Sequence, residues 1–124
     1  MEKAKQVLEQ AGLKSLADEL ALKTSQDVQE LVATGAKKAE SGAHEEAVDI
    51  MLQAVRKMPG NTQAGLNAAL ALLKLIDNRG WNEKLAGQAR SLIDLARRDD
   101  PANPRAAVLT KYFQGMLTKY GIQP

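Results

Sequence analysis

AVDIMLQAVRKMP over residues 47–59 and ARSLIDLARRDDP over residues 89–101 follow one pattern. Each places alanine, a bulky apolar residue, a second alanine and a proline at fixed spacing: Ala47, Met51, Ala54 and Pro59, then Ala89, Ile93, Ala96 and Pro101. Steps of four and three put the first three residues on one face of a helix, and the proline stops that helix. A recurring unit decides the architecture before any single residue is interpreted. This one predicts stacked helix pairs, an architecture that offers extended surfaces to other proteins more readily than it offers a catalytic pocket.

Outward from these two segments, helix signals continue on both sides. Upstream, residues 2–11 carry Val7, Leu8 and Ala11 on one stripe before Gly12, and Ser15 with Asp18 opens a short helix to about Lys23. Thr24 and Asp27 open the next, which runs to about Glu40 with Val28, Leu31, Val32 and Gly35. The segment over 44–58 has Glu45 and Glu46 at its start and Arg56 and Lys57 at its end, matching the helix dipole. Asn61 caps a helix to about Asn78, Asn82 caps one to about Arg98, and Asn103-Pro104 opens the last, to about Lys119. The expected fold is therefore all-α: about seven helices, each antiparallel to the next because the connections are short.

Composition agrees. Hydrophobic residues are 44% but aromatics only 3%, so the core is built from Ala, Leu, Val, Ile and Met, most of which favour helix. The 124 residues suit one domain. There is no cysteine, which excludes disulfides and thiolate metal sites and suits a cytoplasmic protein. The 17 basic and 15 acidic residues are interspersed, which argues against nucleic acid as the main partner. The longest apolar stretch, residues 64–76, is too short for a bilayer and carries Asn67 and Lys74.

The alanine–proline pattern resembles the second helix of the tetratricopeptide repeat, which pairs two antiparallel helices in about 34 residues. Gly35, twelve residues before Ala47, stands where that family places the small residue at which its helices cross, and Ala69 takes the same part in the second unit. Two departures stand out. The two units are offset by 42 residues (47 to 89), and the first helices lack their usual large aromatics. The resemblance implies a right-handed stack: an N-terminal helical remnant of an upstream repeat (1–24), one repeat (25–60), an extended repeat (61–102) and a C-terminal capping helix (103–124). Over about residues 26–120 the chain also resembles the C-terminal segment of bacterial response regulators that join a receiver domain to such repeats. Taken over, this implies a protein-interaction and scaffolding module, part of a longer protein, serving two-component signalling.

Residues for other chemistry are few. His44 beside Glu45 and Glu46 has no second histidine, and neighbours in a helix do not share a face. Asp99-Asp100 belongs to a turn. No phosphate-binding, nucleophile-elbow or metalloprotease motif occurs, so neither catalysis nor a cofactor or metal is expected. In the family, ligands lie in the concave groove of the first helices. That implies Gln63, Asn67, Leu70 and Lys74 on one helix, with Gln29, Ala33, Ala36 and Lys37 on the wall beside it. Asn67 with Lys74 resembles groups that hold a peptide carboxylate. Trp81 reads either as an exposed anchor for a partner or as a staple against Leu85 and Ala86. Tyr112 and Phe113 lie on a terminal apolar stripe that either seals the last repeat or docks a second subunit as a homodimer. Two further functions compete: an RNA-binding helical repeat, and a structural appendage of a larger enzyme.

Overall fold

The computed structural model describes residues 24–122. These residues form five helices and, among them, no strand: α1 over 24–40, α2 His44–Lys57, α3 Thr62–Arg79, α4 Glu83–Asp99 and α5 Pro104–Lys119. Each coincides with an expected helix to within a residue or two. The two helices expected over 2–11 and 15–23 lie outside the described residues.

The three expected asparagine caps all form. The side-chain oxygen of Asn61 accepts from the Ala64 amide at 3.0 Å, that of Asn82 from Leu85 at 3.0 Å, and that of Asn103 from Arg105 at 2.9 Å. Each satisfies an amide that the first turn leaves without an intrahelical partner, a contribution of about 1 kcal/mol. At the other ends, Gly42 and Gly80 take φ of +86° and +103°, values that side chains with a Cβ rarely adopt.

The sequence repeat is also a backbone repeat. After α2, the Met58 amide donates to the Ala54 carbonyl and the Asn61 amide to the Met58 carbonyl. After α4, Asp100 donates to Ala96 and Asn103 to Asp100 in the same way. The two C-caps have nearly equal dihedrals, φ −136° and ψ 77° at Met58, φ −143° and ψ 74° at Asp100. Both precede a proline, whose ring drives the residue before it out of the helical region.

Contacts fix the directions of the helices. Asp27 meets Lys57 and Lys38 meets Glu46, so α1 and α2 are antiparallel. Arg105 reaches Gln63 while Lys119 reaches Asp77, so α5 runs parallel to α3. The helices α1, α3 and α5 therefore share one direction and α2 and α4 the other. The middle helix, α3, is apolar on most of its circumference, and Leu66, Leu72, Leu73 and Ile76 are its fully buried large residues. A helix so clothed belongs inside, and the others pack around it. Burial of each such side chain contributes about 1.5–3 kcal/mol.

The repeat alanines Ala47, Ala54, Ala89 and Ala96 are all buried. Gly35 is buried where α1 crosses α2; a Cβ there would stand 2.9 Å from the Met51 methyl. The glycine expected from the sequence as a close-approach position thus faces the bulky residue of its own repeat motif.

Candidate binding groove

On α3, Gln63, Asn67, Leu70 and Lys74 recur at steps of four, three and four, which keeps them on one face. Asn67, Leu70 and Lys74, with Ala71, form one side of a groove of about 230 Å³. Val32, Ala36, Ala39 and Glu40 of α1 form the other, and Met51 and His44 of α2 complete it. Small side chains on α1 leave the space open. The walls are mostly apolar, with one cation, Lys74, and one carboxylate, Glu40.

Gln63 lies beyond the groove, but it is tied to it. The Arg105 guanidinium, in the first turn of α5, donates to Gln63 Oε1 at 2.8 Å and to Asn67 Oδ1 at 2.7 Å. The two amide oxygens are thereby occupied, and both side-chain NH₂ groups are left as donors. Lys74 is exposed and has no ion pair among the described residues. The α3 face therefore offers amide and ammonium donors, backed by the guanidinium charge.

The α1 wall differs from the expected one. Gln29, Ala33 and Lys37 are exposed and do not line the groove, whereas Ala36 does. The wall is the stripe Val32–Ala36–Ala39, next to Val28 and Gly35, which are buried. The expected stripe 29–33–37 lies one residue on from 28–32–36, a rotation of about 100°. Alanines on both stripes made the two faces alike in sequence; burial of Val28 and Gly35 selects between them.

The aromatic residues gather on the other flank of α3. Trp81 lies against Phe113 of α5 and Tyr120 just after it, with ring centroids 6.5 and 5.8 Å away, and its indole N–H donates to Glu83 at 3.2 Å. Tyr120 donates its hydroxyl to the Ile76 carbonyl at 3.3 Å, and the Lys119 ammonium lies 5.3 Å above its ring. Tyr112 hydrogen-bonds Asp77, which also pairs with Lys119 at 3.3 Å. Burial, reinforced by the Asp77 carboxylate, pushes the Tyr112 hydroxyl up to about 12. Trp81, Tyr112 and Phe113 thus spend much of their surface within the chain, and the partner of Trp81 is α5 more than the start of α4.

Arg105 was not among the residues expected in the site. The signal for it is the offset between the two repeats: Arg105 stands 42 residues after Gln63, as Ala89 stands 42 after Ala47. Lys119 stands in the same relation to Asp77. Equivalent positions of neighbouring helices meet, so the repeat length itself names the pair.

No family model matches the chain, and neither a curated protein nor a solved structure was found to match it.

Proposed function

We propose that this chain is a protein-interaction module of the tetratricopeptide-repeat kind, a right-handed stack whose α1/α3 groove holds an extended, acidic segment of a protein partner. The observation that carries this is the donor face of α3: Asn67 turned to donate by Arg105, and Lys74 without an ion-pair partner among the described residues, above walls of small apolar residues. Carboxylates satisfy such donors with charge-assisted hydrogen bonds. Asn67 and Lys74 are seven residues apart on α3, about 10 Å along the axis. Two acidic residues three apart in a polyproline-II-like extended peptide share a face and span about 9 Å. The alanines of α1 leave room for the peptide backbone, and Leu70 supplies an apolar contact between the polar groups.

On this reading the module acts in the cytoplasm, as the output segment of a bacterial two-component response regulator, where capture of a partner needs no catalytic group. Among the described residues no helix is long and apolar enough to cross a membrane.

Calorimetric titration with acidic peptides bearing two carboxylates three residues apart tests this, with the amidated sequence (Gln and Asn for Glu and Asp) as control. The acidic peptide binds and the control binds about 5-fold more weakly, one exposed charge pair and one charge-assisted hydrogen bond being involved. Lys74→Glu abolishes that preference. Equal binding of both peptides, or of wild type and variant, overturns the proposal. Tighter binding of single-stranded RNA, falling steeply with salt, would replace it with the nucleic-acid alternative.

A further inference from the structure

A groove larger than the one between α1 and α3 lies between α2 and α4 and is independent of the function proposed for the first. There α2 and α4 stand apart, each packed on α3, and leave an open groove of about 620 Å³. Val48, Leu52, Leu75, Leu85 and Trp81 give it an apolar floor. Its two sides carry opposite charge. Glu45 and Asp49 line the α2 side, Arg79 stands at the end of α3, and Lys84 lines the α4 side. Glu45 and Arg79 pair with each other, but Asp49 and Lys84, both exposed, have no ion-pair partner among the described residues.

We infer that this groove is the interface of a homodimer, in which a second copy places its own α4 into the groove and Asp49 of each chain meets Lys84 of the other. A two-fold axis brings one patch against itself, so the patch must complement its own image. A groove with one free acid on one side and one free base on the other meets that requirement: rotation sets each side against its opposite. The inserted helix is also suited to close approach. Gly87 is exposed in the second turn of α4, and nothing lies within 4 Å of where its Cβ would be. The chain's own packing gives no reason for a glycine there, although glycine costs a helix about 1 kcal/mol relative to alanine. Ser91, one turn on and also exposed, keeps the same ridge low. Twelve residues line the groove. A standard interface uses about 20–30 on each side, so the contact is at the small end and the dimer is weak and reversible.

Sedimentation velocity of the whole chain, over a concentration series that extends to the highest soluble concentration, tests this. Wild type shifts from monomer to dimer as concentration rises. Asp49→Lys and Lys84→Glu, alone, each bring like charges together twice per dimer and weaken association at least about 10-fold. Mixed in equal amounts, the two variants associate as wild type does, because both contacts between unlike chains are again acid against base. Gly87→Leu blocks the dimer while its thermal unfolding temperature stays level or rises. Circular dichroism confirms that each variant is folded. A wild type that stays monomeric throughout, or a mixture no better than the single variants, overturns the inference. The mixing experiment also separates this contact from one between Asp49 and Lys84 of the same chain, which mixing cannot restore.

Discussion

On its α1 side, α3 faces Val32, Ala36 and Ala39 across an open groove; on its α5 side, it is bound to Arg105, Tyr112 and Tyr120. The backbone plan of the two sides is the same, since α1, α3 and α5 run in one direction. Side-chain length makes the difference. Alanines and a valine stop short of α3 and leave about 230 Å³ between the helices. Arginine, tyrosine and lysine reach across and end on specific acceptors. One and the same helical arrangement thus gives a place to bind and a place to hold, according to what the equivalent positions carry.

The severest disturbance strikes what both sides share. Leu72→Ala, at a fully buried position of α3, lowers the unfolding free energy by about 2–5 kcal/mol in a denaturant titration. Next comes Trp81→Ala, which removes the ring that Phe113 and Tyr120 pack against and costs about 2 kcal/mol, less than a fully buried aromatic because Trp81 is only half-buried. If the two sides are independent, peptide binding in the groove is unchanged by it at temperatures where the protein remains folded. Tyr112→Phe costs about 1 kcal/mol at neutral pH by leaving Asp77 one hydrogen bond short. The same substitution changes the alkaline limb. An unfolded tyrosine ionises near 10, whereas Tyr112 in the fold ionises near 12, so folding disfavours the phenolate. Its stabilising effect is complete below about pH 10 and is lost as the pH rises toward 12. Thermal melts of wild type therefore fall more steeply than those of Tyr112→Phe between those values. The smallest effect belongs to Gly35→Ala. The gain in helix propensity, about 1 kcal/mol, is set against displacement of the flexible end of Met51, and the net change stays within about 0.5 kcal/mol. Gly35→Val, with two further carbons aimed at α2, unfolds the protein at distinctly lower temperature.

Much of the fold was legible in the residues. The asparagine caps, the two prolines after the repeat alanines and the apolar faces place all five described helices because these signals are local: a cap acts on amides two or three residues away. Gly35 was legible for a different reason, its fixed distance from Ala47. The sites were harder. Asn67, Leu70 and Lys74 came out on one face because helical spacing alone decides that, but the face of α1 opposite them did not. Two alanine-bearing stripes differ there by one residue, and only packing of Val28 and Gly35 selects between them. For Trp81 a sequence shows the near neighbours Leu85 and Ala86 first; the rings it packs against, Phe113 and Tyr120, are more than thirty residues on.

Arg105 has a consequence for how events at the groove are felt elsewhere. It belongs to the last helix, yet it sets which way the Asn67 amide points. A ligand that needs that amide as a donor gains only when α5 is docked, and reciprocity then requires that the ligand hold α5 in place by the same free energy. Saturating the groove should slow amide hydrogen exchange in α5, a helix that does not line it, and Arg105→Ala should uncouple the two.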